Sequence, residues 1–169
     1  MNNRIALVDW DGTIRKGFTI KEWSSFLVDN IGDVNFDIIE KIDNLFSKYS
    51  DGDITHDQLA DASAHAYAKY IKNTAIEDIN DLAKEFITLD IDNLFAYSKE
   101  LFSLLHELEI RPIIISGCPE VILNNYKRIF YLDKIYGLKL KLSGQKYSIF
   151  NNKSQLLLIK FSATWFISS

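Results

Sequence analysis

Ile5-Ala6-Leu7-Val8-Asp9-Trp10-Asp11-Gly12-Thr13 is the stretch whose reading decides the fold. Its four leading apolar residues read as a buried strand of a parallel sheet. Two aspartates follow at alternate positions, then a glycine where the chain must turn. Ligands of open α/β sheets bind just past the carboxyl ends of the strands, so Asp9 and Asp11 stand where chemistry is usually done. Two carboxylates this close repel each other unless a cation or a shared proton intervenes. A hard cation such as Mg²⁺ takes oxygen ligands and commonly partners substrate phosphates. One carboxylate can then serve as nucleophile and the other as acid/base. The plain structural alternative is a strand that ends in an Asp-Gly turn.

Downstream of this loop the pattern changes from strand to helix. Thr19-Ile20-Lys21-Glu22 has the form of a capping box, and Trp23, Phe26 and Leu27 follow at helical spacing, with Gly32 placed to close the end. A second helix is signalled by Ile39, Ile42, Leu45, Phe46 and Tyr49. Thr55-His56-Asp57-Gln58 is another capping box and opens a third helix, and Thr74-Ala75-Ile76-Glu77 opens a fourth. Residues from about 19 to 88 therefore read as four amphipathic helices that bury their stripes against one another. The aromatic stripes (Trp23, Phe26, Phe46, Tyr49) read as the core of that bundle, with one or two rings able to face a substrate.

A fifth helix carries Leu94, Leu101, Leu104, Leu105 and Leu108 and ends before Pro112. Ile113-Ile114-Ile115 then reads as a short buried strand, Ser116-Gly117 as a loop, and Pro119 as the first turn of a helix. Leu138 to Leu142 alternates as a one-face-buried strand, turned back at Ser143-Gly144 into Tyr147-Ser148-Ile149. The economical layout is an α/β core over residues 1–15 and 91–169, with a helical cap over 16–90 inserted directly after the acidic loop. Such a block would select substrate and exclude water.

Three segments supply complementary chemistry. Asp9 and Asp11 end one strand. Ser116-Gly117 ends another and offers a hydroxyl and an N–H at a helix N-terminus, a ready anion site. Lys153 supplies positive charge. Together they make a phosphoryl-transfer kit. Other features read more plainly. Cys118 lacks the arginine six residues on that a cysteine phosphatase needs, and is a buried loop residue. Asp51 to Asp57 is a turn and a helix cap rather than a calcium loop, because His56 and Ala62 occupy the required glycine and glutamate positions. His56, His65 and His106 lack metal-ligand spacing and read as surface or packing residues.

The bulk composition sets limits. At 47% hydrophobic and 25% charged, the chain is globular rather than disordered. A net charge of −4 gives no support to nucleic-acid binding. One cysteine excludes an internal disulfide and fits a reducing compartment. Met1 to Arg4 shows no signal peptide, and no run approaches the roughly twenty apolar residues of a membrane span. The expectation is a soluble cytoplasmic protein, with its oligomeric state left open.

The order Asp9-x-Asp11-Gly12-Thr13, then Ile-Ile-Ile-Ser116-Gly117, then Asn-Lys153 resembles motifs one to three of the haloacid dehalogenase-like superfamily. The helical insert, Gly52-Asp53-Ile54-Thr55 before a helix, and Ser116-Gly117-Cys118-Pro119-Glu120 after a strand are similar to its phosphoserine-phosphatase-like branch. The resemblance implies a Rossmann-like α/β core with an inserted helical-bundle cap. It also implies a Mg²⁺-dependent phosphatase acting on a small phosphorylated metabolite. Asp9 would form an aspartyl-phosphate, and Asp11 would protonate the leaving oxygen and activate water. Gly12, Ser116, Gly117 and Lys153 would hold the phosphoryl group, and Mg²⁺ would sit on the Asp9 carboxylate and the Asp11 carbonyl.

Two departures shape the expectations. The family's fourth motif is an acidic pair on the next core strand, and residues 154–169 contain no Asp or Glu. The expectation is an incomplete core with an impaired phosphatase, or a non-catalytic remnant that binds phosphate or a protein partner. Ile5–Val8 would then lie at a sheet edge, which invites intermolecular pairing. The second departure is at Ile14-Arg15-Lys16-Gly17-Phe18, where phosphoserine phosphatases usually carry a substrate-binding glutamate, so phosphoserine itself is not the expected substrate.

Overall fold

The computed structural model describes residues 4–31 and 37–148. Lys153, Gly32 and Ile149 lie outside the described residues. The chain is mixed α/β. Strand β1 (Ile5–Val8) is followed by helices α1 (Thr19–Ile31), α2 (Asp37–Ser50), α3 (His56–Tyr70) and α4 (Ile76–Asp90). A single 3₁₀ turn, Ile91–Asn93, leads to α5 (Ser98–Glu107), β2 (Arg111–Pro119), α6 (Glu120–Ile129) and β3 (Lys134–Leu138). A hairpin of β4 (Lys141–Ser143) and β5 (Lys146–Ser148) closes the described part.

β1, β2 and β3 form a parallel sheet in that order. Ile5 pairs with Arg111 and Val8 with Ile114 on one side of β2, while Ile113 pairs with Lys134 on the other. β2 is the central strand, and its Ile113 and Ile114 are buried as a doubly covered strand requires. β1 departs from its reading as a buried strand but takes the sheet-edge place expected of it. Ile5 and Leu7 are 49% and 54% exposed, because among the described residues β1 has a neighbour on one edge only and its odd-numbered face is uncovered.

Further corrections concern β2, the hairpin and the caps. Ser116 and Gly117 belong to β2, with a register shift between Ile115 and Pro119 that makes 116–118 a bulge rather than a free loop. The alternating run 138–142 is not one strand: Leu138 ends β3, Lys141 opens β4, and β4 is exposed on both faces. The turn at Ser143-Gly144 does form, with β4 and β5 antiparallel. Thr55 makes its capping box, accepting from the Gln58 N–H at 3.3 Å while the Gln58 side chain accepts from the Thr55 N–H at 2.8 Å. The Thr19 box does not form, because Thr19 and Glu22 are each engaged elsewhere, as the site makes plain.

One apolar interior runs through both parts. Trp10 and Ile14 from the acidic loop pack with Trp23, Tyr67, Ile79 and Phe86 of the helices and with Ile122 and Tyr126 of α6. Backbone hydrogen bonds add to this. Residues 14–16 run beside 93–95, with Lys16 N–H to Asn93 O at 2.9 Å and Phe95 N–H to Ile14 O at 3.0 Å. The hairpin joins the α3–α4 turn, Asn73 N–H donating to Tyr147 O at 3.0 Å and Tyr147 N–H to Thr74 O at 3.2 Å.

Candidate active site

β1 delivers Asp9 one residue beyond its last ladder pair, Val8 with Ile114. The chain then folds tightly: Thr13, Ile14 and Arg15 all donate their N–H to Trp10 O, at 3.2, 2.8 and 3.1 Å. Gly12 makes this possible at φ +77°, a region L side chains avoid. Its own N–H donates to Arg15 O at 2.7 Å, so what Gly12 brings is the turn. Trp10 anchors the loop from below, fully buried and packed on Tyr126 at 4.5 Å between centroids.

The two acids have different surroundings. Asp11 is held at the start of α1, where its Oδ1 accepts from the Thr19 N–H at 3.0 Å and from the Thr19 hydroxyl. A carboxylate at a helix N-terminus is favoured by the exposed N–H groups there. Even so, burial dominates and pushes the Asp11 carboxyl up to about 6, against the lowering effect of Thr19 and of the Arg15 charge. Burial also raises Asp9. That rise is opposed by the Trp10 N–H, by the charge of His56 and by the Thr13 hydroxyl. His56 is exposed at the start of α3 with its ring edge-on to Tyr49, the surface or packing role that its spacing predicts.

Motifs on β1 and β2 meet. Asp11 and Thr19 both act on the Cys118 thiol, which is fully buried and pushed well above its usual range. Ser116 is buried, and its hydroxyl oxygen accepts from the Cys118 N–H at 3.1 Å, leaving its own proton available to donate. The bulge at 116–118 thus lies against the acidic loop.

A buried ion cluster lies behind the acids. Arg15 is wholly buried, and its Nε donates to both carboxylate oxygens of Asp90, at 2.9 and 3.1 Å. Its Nη2 also reaches Asp90 and Glu22, which is why Glu22 does not cap α1. Asp90 accepts further from the Tyr126 hydroxyl at 2.7 Å and from Asn93 Nδ2 at 3.2 Å. Arg15 and Asp90 stand where the chain enters and leaves the four helices. No periodicity announces a pair separated by 75 residues.

No group of three or more His, Cys, Asp or Glu side chains that would hold a metal occurs among the described residues. Thr19 engages only Oδ1 of Asp11, so the oxygen donors at the strand end are the Asp9 carboxylate, the Asp11 Oδ2 and backbone carbonyls. That set fits Mg²⁺, which is commonly held by one or two carboxylates together with substrate phosphates and water.

No protein-family model matches the sequence, and no curated protein matches it significantly. Solved structures do match. A protein of unknown function from Bordetella pertussis Tohama I aligns with a TM-score of 0.69 at 16% identity, over 88% of this chain and 66% of that one. A phosphoserine phosphohydrolase-like protein from Francisella tularensis subsp. tularensis SCHU S4 aligns with a TM-score of 0.63 at 16% identity, over 98% and 74%. A phospho-aspartyl intermediate analogue of phosphoserine phosphatase aligns with a TM-score of 0.56 at 16% identity, over 87% and 61%. The chain thus spans 66% and 61% of the lengths of the first and third. Its fold is the haloacid dehalogenase-like fold in the form found in phosphoserine phosphatases.

Proposed function

We propose that the chain is a phosphatase that hydrolyses a small phosphomonoester through an aspartyl-phosphate on Asp9. The observation that carries this reading is the pairing, at the carboxyl end of β1, of two carboxylates with unlike surroundings beside the Ser116–Cys118 bulge. A Asp9 oxygen attacks phosphorus as the bond to the leaving oxygen breaks, and Asp11 delivers its proton to that oxygen. Asp11 then takes a proton from water, which attacks the acyl phosphate and releases Asp9 and inorganic phosphate. A carboxyl that titrates near 6 suits both halves of that exchange. Ser116, the Gly117 N–H and Lys153 hold the phosphoryl oxygens in this reading, and Gly12 shapes the loop around them. The Asp9 carboxylate and the Asp11 carbonyl would hold Mg²⁺, which when bound neutralises phosphoryl charge. Residues 16–90 act as a cap that excludes water, over a core of 1–15 and 91–169. A solved structure of the same fold, described as a phospho-aspartyl intermediate analogue, supports the choice of Asp9.

Beryllium trifluoride with Mg²⁺ tests this. A site that binds the phosphoryl mimic raises the melting temperature by mass action, and Asp9→Asn abolishes the rise. Mg²⁺-dependent release of 4-nitrophenol from its phosphate should be lost in the same variant. A chain that shows neither a thermal shift nor turnover overturns the reading.

A further inference from the structure

α5 begins without a side-chain cap of its own. Tyr97 stands at its N-cap position and makes no side-chain bond to the helix. Ser98 is the first helical residue, a place where a hydroxyl commonly serves the exposed N–H groups of its own helix. Here the fully buried Ser98 hydroxyl donates instead to Ile14 O at 2.8 Å. The Tyr97 hydroxyl donates to Thr13 O. Ile14 O also accepts from the Phe95 N–H at 3.0 Å, so two consecutive carbonyls of the acid loop are held by residues 95–98.

These bonds reach the acids through one turn of chain. Thr13 and Ile14 donate their own N–H groups to Trp10 O, at 3.2 and 2.8 Å, and Trp10 is the residue between Asp9 and Asp11. Residues 10–14 are therefore a single hydrogen-bonded turn, continuous with both acids at one end and gripped at the other by Tyr97 and Ser98. The Arg15–Asp90 pair fixes a side chain beside this turn, whereas Tyr97 and Ser98 fix its backbone. A displacement of about 1 Å at reacting groups can cost on the order of a hundredfold in rate, so a turn that carries two reacting carboxylates needs a fixed far end.

We infer that Ser98 and Tyr97 are positioning residues: they hold the Thr13 and Ile14 carbonyls and through them set where the Asp9 and Asp11 carboxylates stand. What the acids do once placed rests on the phosphatase reading. The hydroxyls themselves touch no reacting atom, and each spends on the loop a bond that its own helix forgoes.

Tyr97→Phe is the cleaner variant. The ring is 47% exposed and stacked on Phe95 at 5.5 Å, so only the hydroxyl is lost and the melting temperature should not change. With 4-nitrophenyl phosphate and Mg²⁺, kcat should fall about fivefold at unchanged KM, the worth of one hydrogen bond. Ser98→Ala should give the same split, since Ile14 O keeps its bond from the Phe95 N–H. Amide exchange followed by NMR reads the turn without turnover. The Thr13 and Ile14 N–H groups should exchange about fivefold faster in either variant, with those of α3 unchanged. Wild-type kcat in both variants, a rise in KM alone, or loop exchange as slow as in the wild type overturns the inference. Turnover that both variants retain in full keeps the phosphatase and removes the positioning role. A loosened turn in a chain whose wild type releases no phosphate keeps the clamp and removes the phosphatase.

Discussion

At the scale of the residue, Asp11 and Arg15 show two ways of placing a charge inside this protein. Asp11 is held by Thr19 but not neutralised, so its carboxyl is raised from 3.8 to about 6. A carboxyl raised in the folded state binds protons that the unfolded chain would release. Its contribution therefore favours folding below about pH 4 and is lost as pH rises through 6. Asp11→Asn, which keeps an acceptor for Thr19, should raise stability near pH 7 by roughly 3 kcal/mol, with the gain vanishing below pH 4. Denaturant melts of both proteins across that range check it. Arg15 is instead fully paired, and removing it strands Asp90 in the interior. Arg15→Met should cost about 3–5 kcal/mol, and Arg15→Met with Asp90→Leu should recover much of that loss. A single variant as stable as wild type would refute the account.

At the scale of the element, β3 and the bulge in β2 are fitted to each other. A Cβ on Gly137 would lie 2.7 Å from the Cys118 carbonyl oxygen and 2.9 Å from Leu123 Cδ1. The first of these is backbone and has no rotamer to retreat into. Gly137→Ala should cost about 1–3 kcal/mol and also weaken binding of beryllium trifluoride, because relief requires the 116–118 turn to move. Calorimetry with and without the mimic separates the two effects. The same scale explains why one capping box was legible and the other was not. Thr55 and Gln58 find no stronger partner than each other. Thr19 and Glu22 meet Asp11 and Arg15, and a charged partner outbids a neutral cap.

At the scale of the whole molecule, β1 presents Ile5 and Leu7 to solvent on the edge of the described sheet. Exposed apolar edges template pairing with other chains. Leu7→Lys should leave folding stability within about 0.5 kcal/mol and reduce self-association on warming. Light scattering at matched concentrations checks this, and unchanged scattering would show that the edge is already protected.

The α/β pattern, the four helices after β1 and the acids at the end of β1 were all determined by the sequence alone. Each rests on local forces: the helical or strand period of apolar residues, the turn demanded at Gly12, and the Thr55 cap. Only the tertiary structure decided the rest. It turned 116–118 into a bulge of β2, gave Thr19 to Asp11 and buried Arg15 against Asp90. The reason is that charge placement and desolvation depend on what lies across space, and a linear pattern carries no distance between residues 15 and 90 or 11 and 118.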